Sequence, residues 1–246
     1  MTKILGIIPS RYGSTRFPAK ALADINGKTM VERVYEQACK ATSLAEVVVA
    51  TDHEKIFSYV QSIGGKVVMT KDSHPSGTDR CAEVLNNMTE NYDFVINIQG
   101  DEPFIKPEQI NLLASVLSDA VELATLVIET QKDDEIFNPN TVKVAVNSNS
   151  EALYFSRSPI PFVRNFPQNE WTKHHKFYRH VGIYAYRTDI LHKITMLQPS
   201  GLEQTESLEQ LRWLENGYKI KVQKTPFDSH GIDTPQDLQR ILEAMK

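Results

Sequence analysis

The sequence predicts an α/β fold, a mostly parallel sheet flanked by helices, with an inserted and mainly antiparallel region at about 123–187. Three observations predict it. The first half alternates short apolar runs with longer amphipathic segments, which is the punctuation of βαβ units. Near Leu123 that rhythm gives way to close-spaced strand-like segments with few helix signals between them. Helical patterns then return toward the C-terminus. No linker is clear enough to separate independent domains, so residues 1–246 read as a single domain carrying this insertion.

The elements follow in order. ILGIIP, from Ile4 to Pro9, is a short continuous apolar run and reads as a strand buried on both faces. A helical pattern through MVERVYEQACKA, the strand VVVAT, a helix near EKIFSYVQSI and the strand KVVMT complete βαβαβ. A helix around RCAEVLNNM and the strand FVINIQG add a further pair. LATLVIET, VKVAVN and ALYFSR are the strands of the insertion, followed by a Pro-rich and aromatic stretch to about His175. VGIYAYR is another strand, DILHKIT and ESLEQLRWLENG are helical patterns, and KIKVQKT is a last strand. PQDLQRILEAM closes the chain as a helix, with Thr234 as its N-cap and Pro235 at its first position.

Composition narrows the function. The 246 residues are 41% hydrophobic, enough for a sizeable core, and carry a net charge of −4 with basic and acidic residues interspersed. That balance gives little attraction to a phosphate backbone, so no nucleic-acid partner is expected. No apolar run approaches the roughly 20 residues a bilayer demands, and Met1-Thr2-Lys3 leads directly into a strand, so a cytoplasmic protein without a membrane partner is expected. Cys39 and Cys81 are far apart and read as buried small hydrophobes. His174, His175 and His180 fall at no recognised zinc spacing, and no zinc is expected.

In open α/β sheets ligands sit outside the carboxyl ends of the strands, so the stretches after each apolar run are the ones to read for chemistry. They are SRYGSTRFPAK, TDHE, KDSHPSGTDR and QGDEP. The first lacks G-x-G-x-x-G, and Gly27-Lys28-Thr29 is no P-loop because Leu22 stands where that motif needs its first glycine. It does place Arg11, Arg16 and Lys20 within ten residues, beside the hydroxyls of Ser10, Ser14 and Thr15. Guanidiniums bind phosphate oxygens as a fork and lysine adds a point charge, so the set suits a triphosphate. A solvated basic loop paired with neighbouring acids is the ordinary alternative. Asp101 in QGDEP is placed to hold Mg²⁺, a hard ion with oxygen ligands, and Asp233 in GIDTPQDL is its candidate partner; turn and capping roles are the alternatives for both. Ser76, Gly77 and Arg80 in SGTDR can face a base or ribose, or Ser76 can simply cap a helix. Arg157, His180, Tyr184, Glu209 and Gln210 form a polar scatter in the second half, where an arginine at a strand end suits a carboxylate.

Together these blocks resemble the 3-deoxy-manno-octulosonate cytidylyltransferases, the CMP-Kdo synthetases. The likeness runs through IPSRYGSTRFPAKALADINGK, VVVATDHE, MTKDSHPSGTDRCAEV, INIQGDEPFI, FNPNTVKV, ALYFSRSPIP, YRHVGIYAYR, LEQTESLEQLRWLENG and GIDTPQDL. Members more often read PARY and RLPGKPL where this chain has Pro9-Ser10-Arg11-Tyr12 and Arg16 to Leu22, but the charged positions are kept. The resemblance implies a Rossmann-like nucleotide-diphospho-sugar transferase fold whose insertion mediates a homodimer. It implies that CTP and the acid sugar Kdo give CMP-Kdo and pyrophosphate with Mg²⁺, for lipopolysaccharide or capsule. It assigns Arg11 and Lys20 to the CTP phosphates, with Ser10 and Arg16 in support, Asp101 and Asp233 to metal, and SGTDR to cytosine. It assigns Gln99, Arg157, His180, Tyr184, Glu209 and Gln210 to the sugar, with Arg157 on its carboxylate. An 8-amino analogue of Kdo or another acid sugar, and a CTP-binding module without turnover, are the competing functions.

Overall fold

A computed structural model describes residues 2–14, 16–228 and 231–244; Thr15, one of the hydroxyls named above, Met1 and Met245 lie outside the described residues. Internal contacts divide the chain into two compact units, residues 1–114 with 229–246, and residues 115–228.

The first unit opens with β1 (Ile4–Pro9). A hairpin of β2 (Asp24–Ile25) and β3 (Lys28–Thr29) leads into α1 (Met30–Cys39). Then come β4 (Glu46–Thr51), α2 (Glu54–Ser62), β5 (Val67–Met69), α3 (Gly77–Asn87), β6 (Phe94–Asn97) and α4 (Pro107–Ala114). The strands pair in parallel in the order β6-β1-β4-β5. Ile4, Leu5, Ile7 and Ile8 of β1 are all buried, because helices cover both faces of a parallel sheet. The hairpin explains the Gly-Lys-Thr decoy. Asn26 and Gly27 both have positive φ, 50° and 82°, the two-residue turn that Asn-Gly favours, and Thr29 caps α1 by accepting the Glu32 N–H. Neither this hairpin nor α4 is among the elements read from the sequence.

The second unit contains β7 (Leu123–Thr130), α5 (Asp133–Ile136), β8 (Lys143–Val146) and β9 (Ala152–Ser156). It continues through α6 (Trp171–His174), β10 (Phe177–Arg187), α7 (Thr188–Thr195), α8 (Gly201–Glu206), α9 (Gln210–Glu215) and β11 (Ile220–Lys224). β10 pairs antiparallel with β7 and β8, and β8 with β9, as the change of texture predicts, while β11 joins β7 in parallel. The helix expected over ESLEQLRWLENG is confined to α9, and α8, which the sequence reading did not give, ends at the first residue of that stretch. Ser207 separates the two in the left-handed region (φ 53°), where the Glu206 carboxylate accepts from the Ser156 hydroxyl and the Arg157 N–H. The chain then returns to the first unit with α10 (Pro235–Ala244), where Thr234 and Asp237 cap each other reciprocally.

Cys81 is buried as expected, but Cys39 is exposed. The correction has a simple cause: Met30, Val31, Val34 and Ala38 occupy the core face of α1, and the next residue necessarily points away.

Two packing features shape the cleft at the carboxyl ends of β1 and β6. Gly100 lies so close to β1 that a Cβ there would stand 2.5 Å from the Pro9 carbonyl oxygen. The loop from Ser10 to Lys20 folds back on itself through an Ala19 N–H to Tyr12 carbonyl bond of 3.1 Å, and Ala19 takes a left-handed conformation at φ 56° before a 3₁₀ turn over Lys20–Leu22. The resemblance described above more often places glycine at this position. A methyl group is strained there, so Ala19→Gly is expected to stabilise the protein by about 1 kcal/mol. A urea midpoint shifted upward at constant slope checks this; a midpoint shifted downward refutes it.

Candidate active site

The cleft of the first unit is a cavity of about 270 Å³. Arg11, Arg16, Lys20 and Arg80 line it together with Asp101 and Asp233, beside Ser10, Ser14, Ser76, Gly77, Gln99 and His74. Nine residues read from the sequence as phosphate, base or metal ligands therefore meet in one place, and Gln99, read as a sugar ligand, joins them.

Asp101 follows β6 and Asp233 precedes α10, 132 positions apart, and main-chain bonding brings them together. The Ile232 N–H donates to the Asp101 carbonyl at 2.8 Å, and the buried Ile232 side chain packs with Ile25 and Met30. Thr234 takes the capping role at α10, which leaves the Asp233 carboxylate for the cleft. Lys20 Nζ then lies 2.6 Å from Asp101 Oδ2 and 3.2 Å from Asp233 Oδ1, while Arg16 reaches Asp233 Oδ1 at 3.1 Å. Lys20 and Asp101 keep only 18% and 25% of their side-chain surface, so their pair is less screened than one on the open surface yet still reachable by a ligand. Arg11 is exposed and has no acidic partner among the described residues, which leaves its guanidinium to an incoming anion.

Arg80 is held differently. It is buried, and its guanidinium donates to Asp52 Oδ2 at 2.9 Å and to the Thr70 hydroxyl. The other Asp52 oxygen accepts the Tyr12 N–H at 3.1 Å, and His53 stacks on the Tyr12 ring with centroids 3.8 Å apart. TDHE is therefore the brace between the cationic loop and α3. The sequence reading singled out this stretch by its place after a strand but gave it no role. Ser76 caps α3, accepting the Asp79 N–H at 3.3 Å, while still lining the cavity.

Arg157, His180, Tyr184, Glu209 and Gln210 all lie in the second unit. The His180 ring packs 5.1 Å from that of Tyr184 and edge-on to Phe155, and its Nε2 is 3.0 Å from the Thr125 hydroxyl. Burial, helped by the charge of Arg179, pushes the His180 imidazole down to about 3, so it is neutral at working pH. Burial, then the neighbouring Tyr186 and Glu209, raise the Tyr184 phenol well above its usual range. The Tyr184 hydroxyl is buried and finds no hydrogen-bond partner among the described residues. A ligand supplying one would remove that cost. Glu209 pairs with Arg212 at 3.2 Å, and Gln210 is buried at the start of α9. The Arg157 guanidinium spends three donors on main-chain carbonyls, those of Glu206 (2.7 Å), Pro139 (3.0 Å) and Ser207 (3.3 Å), and makes no ion pair with a described carboxylate.

A family model described as cytidylyltransferase matches residues 5–220. The 3-deoxy-manno-octulosonate cytidylyltransferase of Cytophaga hutchinsonii is 54% identical, covering 97% of this chain and 96% of that one. That of Parabacteroides distasonis is also 54% identical, covering 98% of each. The solved structure of CMP:2-keto-3-deoxy-manno-octonic acid synthetase complexed with CTP superimposes with a TM-score of 0.92 at 43% identity, over 99% of this chain and 98% of that one. By sequence and by fold, this chain belongs to the 3-deoxy-manno-octulosonate cytidylyltransferase family.

Proposed function

We propose that this protein transfers the cytidylyl group of CTP to Kdo, giving CMP-Kdo and pyrophosphate for lipopolysaccharide synthesis, with Mg²⁺ as cofactor and a cytoplasmic homodimer as the working form. The observation that carries the reading is the convergence of Asp101 and Asp233 on one cationic centre, Lys20 Nζ, inside a cavity that also holds Arg11 and Arg16. No helix of the described residues is long and apolar enough to cross a membrane.

The donor set fits the metal. Mg²⁺ binds through one or two carboxylates and completes its shell with phosphate oxygens and water, and Asp101 and Asp233 already hold a cation between them. When bound, the ion supplies charge neutralisation along the triphosphate and polarises oxygen at the reacting phosphorus. The chain supplies the rest. Arg11 and Lys20 hold the triphosphate, Lys20 exchanging its carboxylate partners for phosphate oxygens, with Arg16 and Ser10 supporting the loop. The anomeric hydroxyl of Kdo gives up its proton to water as its oxygen bonds to the α-phosphorus and the bond to the bridging oxygen of pyrophosphate breaks. The cationic side chains meet the charge that accumulates on the leaving group. Ser76, Gly77 and Arg80 face the cytosine, and Arg157 receives the sugar carboxylate. Gln99, His180, Tyr184, Glu209 and Gln210 hold the remaining sugar contacts, His180 as a neutral imidazole.

Pyrophosphate release on mixing with CTP, Mg²⁺ and Kdo tests the function, with the 8-amino analogue, other acid sugars and other nucleotides as comparison. CTP binding without release would sink it. Asp101→Asn is expected to lower kcat by about a thousandfold while the thermal midpoint stays near that of the wild type, since an amide lacks the charge a metal ion needs. Near-normal kcat would remove Asp101 from the metal site. Arg157→Ala is expected to raise the KM for Kdo about tenfold and that for CTP less than about twofold, because a charge-assisted fork to a carboxylate is lost. The opposite pattern would take Arg157 out of the sugar site.

A further inference from the structure

We propose that Lys143 is a positioning residue for the acid sugar: it ties the main chain of Arg157 to the turn Asn138–Thr141 and so sets where the Arg157 guanidinium stands. The inference rests on the assignment of Arg157 to the sugar carboxylate and names what holds that residue in place.

Lys143 opens β8 and is fully buried. Its Nζ donates to the main-chain carbonyls of Asn138 (2.9 Å), Thr141 (2.5 Å) and Arg157 (2.5 Å). An ammonium has three donors and no acceptor, so these three carbonyls use it up. It makes no salt bridge with a described carboxylate, although a buried lysine is costly without one. An apolar side chain would fill the same strand position at no such cost, so the feature to be explained is the need for three donors at this point.

Arg157 supplies the explanation. Its own guanidinium reaches back to Pro139, inside the turn that Lys143 grips, at 3.0 Å. The two cations therefore clamp one turn, Asn138–Thr141, from both ends of the Arg157 residue: Lys143 holds its carbonyl and the turn holds its side chain. The remaining donors of Arg157 bind Glu206 and Ser207, which stand directly before the segment carrying Glu209 and Gln210. Displacing the Arg157 carbonyl would thus move the guanidinium and loosen its hold on that segment together.

The ammonium is also close to losing its proton. Burial, then the charge of Arg157, bring Lys143 down to about 8, with Glu206 opposing them. Arg179, its register partner on β10, is engaged by Glu135 and Asp228, and the adjacent His180 is neutral. Neutral Lys143 has two donors for three carbonyls. A lysine whose folded pKa lies below its unfolded value contributes more stability as pH rises from about 8 to about 10.4, so loss of the tie is separable from unfolding.

The test is steady-state pyrophosphate release with Kdo and CTP varied separately, for the wild type from about pH 7 to about pH 9.5 and for Lys143→Met, Lys143→Gln and Arg157→Ala near neutrality. Lys143→Met is expected to raise the KM for Kdo about tenfold and that for CTP less than about twofold, and the wild-type KM for Kdo is expected to climb above pH about 8 with the thermal midpoint maintained. Should Lys143→Met fail to fold, the glutamine variant and the wild-type pH profile decide. Parallel rises in both KM values, or a KM for Kdo that is flat through the alkaline range, overturn the positioning role. If Arg157→Ala raises the KM for Kdo while the Lys143 variants and pH do not, only the role of Lys143 falls. If Arg157→Ala leaves that KM unchanged, the sugar assignment fails and the positioning role with it.

Discussion

Two carboxylates brought this close demand a positive charge between them, and the first unit is built to satisfy that demand. Asp101 and Asp233 come from the two separate segments that make up the unit, and the Ile232 N–H to Asp101 carbonyl bond holds them close together. Unneutralised, their repulsion would oppose that bond. Lys20 resolves the conflict from within the chain. A cation that can be exchanged for another cation is what a metal-dependent site requires, because the same carboxylates must be tolerable before substrate arrives and useful after it. The buried Ile232, packed with Ile25 and Met30, anchors the arrangement away from water; burying a side chain of that size is worth about 2 kcal/mol.

The backbone around the cleft is strained or crowded for the same reason. Lys20 can reach both aspartates only if the loop after β1 turns back sharply, and the turn passes through the left-handed conformation of Ala19. Asp101 can stand beside β1 only because Gly100 has no side chain to collide with Pro9. Strain of this kind persists where surrounding contacts over-determine it. Asp52 is such a contact, since one of its oxygens holds the Tyr12 N–H and the other holds Arg80. The cationic loop and α3 are therefore set against each other through a single carboxylate.

Much of this was legible in the sequence, and the parts that were not have physical reasons. The parallel strands announced themselves as apolar runs because both their faces are covered, and the strand-end rule then pointed to Lys20, Asp101 and the SGTDR stretch. The β2–β3 hairpin escaped because two-residue strands carry no periodic signal; only Asn26-Gly27 marked it. The break at Ser207 escaped because a helical pattern cannot register that the Glu206 carboxylate is claimed by Ser156 and Arg157 from a distant strand. Cys39 was misjudged since a cysteine's average preference says nothing about which helix face it occupies. Asp233 was legible as a carboxylate that could partner Asp101, with capping as its alternative, and the geometry gives the cap of α10 to Thr234.

The two candidate anion sites hold their cations differently, and the difference matches the ligand proposed for each. In the first, three of the cations are already paired with carboxylates, so a highly charged triphosphate meets donors that must release a partner, while Arg11 stands ready. In the second, Arg157 and Lys143 lean on carbonyl dipoles and leave their charge unpaired. Carbonyls orient a cation without cancelling it. A ligand with a single carboxylate, too weak an anion to compete with an internal ion pair, is better served by a cation held in that manner. The neutrality of His180 follows the same logic, because a further fixed charge beside Arg179 would add repulsion without adding a contact that a sugar hydroxyl could not obtain from the neutral ring.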